Sequence, residues 1–95
     1  MPEKVIHNKY IISKREIVEV KVWKVEKSQE FPEGLKYSFA YIKNGKRVLG
    51  YDNERGKGHH RHYKEKEEKI EFKDIHTLQE KFEKEVEEII KEEIK

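Results

Sequence analysis

"LKYSFAYIKNGKRVLGYDN", residues 35–53, carries the clearest conformational instruction in the chain. Its Asn44-Gly45 pair suits a type I′ turn, in which both central residues take positive φ, and strand-like residues flank it on both sides. A two-residue loop there pairs Lys43 with Lys46. Counting outward, it pairs Tyr41 with Val48, Phe39 with Gly50 and Tyr37 with Asp52. Gly50 opposite Phe39 suits an aromatic ring lying over a glycine. The segment is expected to be a β-hairpin, with Asp52 at the exit of its second strand and Asn53 opening a loop.

Upstream, "EIVEVKVWKV" (16–25) alternates Val18, Val20 and Val22 with Glu19, Lys21 and Trp23, the period of a half-buried strand. "EFPEG" (30–34) ends that run, since Pro32 lacks a donor and Gly34 permits a turn. Downstream, "KIEFK" (69–73) alternates again and is expected to be a short strand. From there Ile75, Leu78, Phe82, Val86, Ile89, Ile90 and Ile94 recur at helical spacing. Asp74 can cap that helix, or Thr77 with Glu80 as capping-box partner. One strip of the helix must cover one face of the sheet. The expected fold is α+β: an antiparallel sheet of about four to five strands packed by a C-terminal α-helix.

The 95 residues suit one domain, 1–95, and show no internal repeat. Hydrophobic residues make up only 34% and charged residues 44%, so a small core is expected and a homodimer or tight partner would help it. Disorder is the competing reading of so much charge, but the apolar residues fall in organised runs. Cysteine is absent, which rules out disulfides and thiolate zinc sites. The glutamate and lysine richness resembles hyperthermophile composition. The N-terminal residues contain no signal-peptide core, and no segment approaches the roughly 20 apolar residues of a membrane span. A soluble, cytoplasmic protein with no membrane association is expected. From Thr77 onward four lysines face seven glutamates, so the net +2 leaves the preceding residues at +5. A basic body can meet a polyanion.

The functional question lies in "YDNERGKGHHRHY" (51–63), which gathers three of the five histidines with two arginines, two lysine-flanking glycines and an Asp-Asn pair. If 59–63 is extended, His60 and His62 share one face, while His59, Arg61 and Tyr63 share the other.

Three readings stay open. The histidines can be ordinary residues of an exposed polar loop. They can hold zinc, nickel or copper, with His60, His62 and Asp52 as a facial set. Against that, Arg55, Lys57, Arg61 and Lys64 surround the place with positive charge, and few orienting carboxylates are near. The third reading is acid–base chemistry on RNA, which carries its own nucleophile in the 2′-hydroxyl. Such a reaction needs a base, an acid and cations, and no metal or other cofactor. Histidine, with an ordinary pKa of about 6.5, fills both proton-transfer roles near neutrality, and arginine and lysine fill the electrostatic one. Here His60 and His62 exchange protons, Asp52 orients one imidazole, and Arg61 stabilises the transition state. Tyr51 and Tyr63 can stack on bases, and Asn53, Arg55, Lys57 and His59 complete the RNA contacts. A non-catalytic module, docking nucleic acid or an acidic protein through the same loop, is the alternative of a different class. His7 and His76 are expected to be structural or solvated.

With its strand-turn-strand and following helix, the motif "YDNERGKGHHRHY" resembles the TumE family, toxins of bacterial and archaeal toxin–antitoxin pairs. The resemblance runs from about Val18 onward and rests on the "YDN…G…HHRH" core. It implies that Tyr51, Asp52, Asn53, His60, Arg61 and His62 stand at the family's characteristic positions. It also implies a growth-inhibiting activity and a small helix-turn-helix antitoxin as partner. The tract "KEKEEK" after Tyr63 departs from the shorter, less charged turn expected there.

Overall fold

A computed structural model describes residues 3–54 and 57–94, the side chain of Ile94 excepted. Six strands follow one another as a meander, each antiparallel to the next. They are β1 (Glu3–Ser13), β2 (Glu16–Lys24), β3 (Leu35–Lys43), β4 (Lys46–Asp52), β5 (His60–Tyr63) and β6 (Lys66–Lys69). One helix, α1 (Ile75–Ile94), packs on one face of the sheet. The α+β architecture is the expected one, with six strands where four or five were expected.

The two additional strands escaped sequence reading for different reasons. In β1 the register slips between Lys4 and Ile6 and between Ile11 and Ser13, leaving Val5 and Ile12 outside the ladder. A bulge adds one residue to one strand, so the period of two breaks at each and no alternation survives to be read. β6 consists wholly of charged, exposed residues, and its strand state comes from pairing with β5. A charged edge discourages pairing with other chains. The "KEKEEK" tract therefore supplies the Lys64-Glu65 turn and then this edge strand. "KIEFK" is corrected accordingly: only Lys69 lies in a strand, while Ile70 and Phe72 leave the ladder and pack partly buried against the core.

The Asn44-Gly45 turn forms as its residues dictate, with φ of 53° and 77°, and Lys43 pairs with Lys46. Ile42 with Arg47 continues that register, and beyond this second pair the expected register is wrong by one residue. A bulge shifts the ladder, so that Tyr41 pairs with Leu49, Ala40 with Gly50, Phe39 with Tyr51 and Ser38 with Asp52. Side-chain alternation explains the preference. An unbulged hairpin would turn Val48, Gly50 and Asp52 toward the helix and expel Leu49 and Tyr51; the bulge exchanges the two sets.

The core then assembles from one side of the sheet. Valines 18, 20 and 22, Tyr37, Phe39, Tyr41, Leu49 and Tyr51 meet Leu78, Phe82, Val86 and Ile89 of α1. Phe82 stands edge-on to Tyr51, with centroids 5.0 Å apart, an arrangement the ring quadrupoles favour. Asp74 is the helix cap. Its Oδ1 accepts the Thr77 backbone N–H at 2.7 Å and its Oδ2 accepts the Thr77 hydroxyl at 2.9 Å. These bonds, the backbone one foremost, hold its carboxyl below the usual range.

Candidate functional site

The β4–β5 ladder places the histidines. Asp52 pairs with His60, Tyr51 with Arg61, Gly50 with His62 and Leu49 with Tyr63. Partners across an antiparallel ladder point to the same side. Tyr51 and Leu49 point into the core, so Arg61 and Tyr63 also face the helix. Asp52, His60 and His62 face the opposite side, which no helix covers.

On that open face His62 Nε2 lies 3.3 Å from Asp52 Oδ2. The same carboxylate oxygen is 3.9 Å from Arg47 Nη1. Gly50 makes this possible. A Cβ at Gly50 would come within 2.9 Å of Arg47 Cδ, so the arginine stem lies across the glycine backbone. Arg47, not Phe39, is what covers Gly50. The His60 and His62 rings are 6.5 Å apart, centre to centre. His60 Nδ1 is 3.2 Å from a Glu67 carboxylate oxygen, and its Nε2 is hydrogen-bonded to the Lys57 carbonyl. Among the described residues no three or more His, Asp or Glu are gathered as for a metal ion.

Arg61 is separated from the two histidines that it was expected to assist. Its guanidinium grips Glu85 of α1 and reaches Glu68 at 3.1 Å. Tyr51 donates its hydroxyl to the same Glu85 carboxylate. Burial pushes Glu85 toward the protonated form, but the Arg61 and Tyr51 hydrogen bonds and the Arg61 charge outweigh it, and its pKa falls below the ordinary value. Tyr51, pushed up chiefly by burial and then by Glu85, stays a donor. Being fully buried, it has no face for a base. The expected stacking role of Tyr51 is corrected to a core strut. Tyr63 likewise faces inward, with Arg61 and Lys64 over its ring at 5.2 and 5.4 Å.

Asn53 and His59 also turn out to hold the loop together. Asn53 is buried; its Oδ1 accepts the Tyr37 backbone N–H and its Nδ2 donates to the Leu35 carbonyl, both at 2.8 Å. Its amide thus extends the β3–β4 ladder by one rung where the backbone turns away. His59 stacks on Phe72 with centroids 4.5 Å apart. Its Nδ1 meets the Tyr37 hydroxyl at 2.8 Å and its Nε2 lies 3.2 Å from Glu33. Burial, with the Asp52 and Glu33 charges adding to it, raises the Tyr37 pKa. Lys57 is exposed at the loop, 3.6 Å from Glu54. Arg55, one of the expected RNA contacts, and Gly56 lie outside the described residues. His7 bonds Glu19 at 3.0 Å and His76 is exposed on α1.

Sequence reading missed Arg47 and Glu67 on the histidine face and Glu85 behind it. The glycine within β4 was a signal for Arg47, since an interior glycine marks a bulge or a close approach. Glu67 and Glu85 gave none, being two glutamates among many.

A helix-backed antiparallel sheet whose free face presents two imidazoles, a carboxylate and a guanidinium defines a small α+β protein with a histidine-centred polar site. The chain belongs to the family described as Toxin TumE, whose family model matches residues 2–90. That membership makes it a toxin of a toxin–antitoxin system and implies an antitoxin as its partner. No curated protein and no solved structure matches it. Among the described residues no helix is long and apolar enough to cross a membrane.

Proposed function

We propose that this toxin acts as an endoribonuclease, cleaving RNA through the 2′-hydroxyl without a metal. The observation that carries the reading is the pair His60 and His62, 6.5 Å apart on the open face with Asp52 against one of them. In a neutral imidazole one nitrogen donates and the other accepts. With His62 Nε2–H held by Asp52, Nδ1 keeps a lone pair for the 2′-hydroxyl proton. The 2′-oxygen then bonds to phosphorus and the bond to the 5′-oxygen breaks. His60, the other imidazole of the pair, with the Glu67 carboxylate and the Lys57 carbonyl beside it, is the acid that gives a proton to the departing oxygen. Arg47 takes the electrostatic role first assigned to Arg61, and Lys57 is placed to meet a neighbouring phosphate. The products are a 2′,3′-cyclic phosphate and a 5′-hydroxyl. The antitoxin is a small helix-turn-helix protein.

Purified protein should cut RNA in the presence of a chelator, with a bell-shaped pH profile, and His60→Ala and His62→Ala should abolish the cut. Full activity in both variants rejects the mechanism. Because both ring nitrogens of His60 already have neighbours, a second reading has support: the face binds RNA without cutting it. Salt-sensitive binding with no product at any incubation time identifies that case.

A further inference from the structure

We infer that the uncovered sheet face is a platform for single-stranded RNA, with Trp23 stacking on a base of the strand whose phosphodiester reaches His60 and His62. The inference rests on the ribonuclease reading for the position of the reacting bond, but the platform itself stands on separate observations.

The first is register. Lys21 pairs with Ser38, Ser38 with Asp52 and Asp52 with His60, so these four point to the same open side. Trp23, two residues beyond Lys21 on β2, shares that side and pairs with Lys36. Three strand spacings of roughly 4.8 Å put β2 about 14 Å from β5, a span that a short run of nucleotides can bridge.

The second is relief. Between Trp23 and the histidines the open face carries Ser38 and Ala40, while Gly50 lies under the Arg47 stem. The two small side chains leave a low floor between the indole and the Arg47 guanidinium beside the imidazoles. A nucleotide strand can lie close to the sheet there.

The third is charge. The Lys36 ammonium sits over the Trp23 ring, 5.8 Å from its centre, so a base stacking there takes the place of this exposed amine, which stays at hand for a phosphate. The acids of the face are already engaged: Glu19 with His7 at 3.0 Å and Lys21 at 3.3 Å, Asp52 with His62 and Arg47, and Glu67 with His60 at 3.2 Å. What remains to a ligand is cationic and aromatic, the combination that binds single strands through phosphates and base faces. A duplex hides its base faces and gains nothing from Trp23. An apolar helix would bury these cations without partners.

Trp23 is the chain's one tryptophan, so its fluorescence reports the platform directly. An RNA oligonucleotide carrying 2′-O-methyl groups cannot be cut through the 2′-oxygen, and titrating it into the full chain separates binding from chemistry. Saturable quenching is expected with the single strand and not with the matching duplex. Trp23→Phe should keep binding within a few-fold, whereas Trp23→Ala should weaken it roughly tenfold. On cleavable RNA, Trp23→Ala should raise KM by a similar factor and leave kcat unchanged. Quenching without any cleavage of ordinary RNA supports the platform and rejects the nuclease. Cleavage with neither quenching nor a change of KM in Trp23→Ala rejects the platform and keeps the nuclease. Equal quenching by the duplex also overturns the inference. The wild-type titration does not depend on how well Trp23→Ala folds.

Discussion

Asp52 contacts His62 on the diagonal, with Oδ2 3.3 Å from Nε2, although its direct partner across the ladder is His60. His62 faces Gly50, which has no side chain to contest the space, and diagonal neighbours in a sheet lie within reach of long side chains. The carboxylate is thereby shared between one imidazole and the Arg47 guanidinium.

That relationship gives the most direct test. Asp52→Asn retains shape and polarity at the last residue of β4, on the open face, so stability should stay within about 1 kcal/mol of wild type. Asparagine cannot stabilise an imidazolium, and RNA cleavage should fall by roughly a hundredfold. Thermal melts and cleavage rates on the one variant decide it. An Asp52→Asn protein with wild-type turnover removes the orienting role assigned here.

Arg47 and Arg61 should exchange the roles that composition alone would give them. Arg47→Ala frees an exposed side chain and should reduce cleavage by tenfold or more while moving stability by less than about 0.5 kcal/mol. Arg61→Ala leaves Glu85, only 18% exposed, without its cation. Breaking so enclosed a pair should cost about 2–3 kcal/mol, less than a fully buried one because some solvent still reaches it. Denaturant melts on both variants measure the contrast, and an unchanged Arg61→Ala midpoint contradicts it.

The same pair predicts an acid limb. The folded-state pKa of Glu85 lies below its ordinary value, so near pH 4 the unfolded chain binds the extra proton and the native one does not. The stabilisation is complete above the ordinary glutamate value. It is lost as pH falls through that value toward the folded pKa. Glu85→Gln should start less stable at neutral pH and show a flatter decline on acidification. Parallel slopes for the two proteins between pH 6 and pH 3, by denaturant titration at each pH, would falsify the assignment.

Asn53→Ala should be the costliest of the loop substitutions. It leaves the Tyr37 N–H and the Leu35 carbonyl without the amide that satisfies both in a buried setting. A loss of about 2–3 kcal/mol is expected. Hydrogen exchange at the Tyr37 amide should accelerate in step with it; unaltered exchange there argues that the clamp is dispensable.

The Asn44-Gly45 turn, the β2 alternation, the Asp74-capped helix and the alternation of His60 and His62 against Arg61 were all legible locally. Each depends on φ preferences or periodicities that a few neighbouring residues impose. What the tertiary structure decided was which way those patterns face. One bulged residue in β4 turned Tyr51 into the core and Asp52 out to His62, because the helix offers burial to one side of the sheet only. Arg47, on the turn side of the bulge and still paired with Ile42, kept its side, so the same choice brought Asp52 and the histidines to its face and left Arg61 to Glu85. β6 became a strand through the pairing β5 offered it, with no apolar period of its own. Burial and register are properties of the packed sheet. The sequence set out the parts of the site, and only the packing of helix on sheet determined which of them share a face.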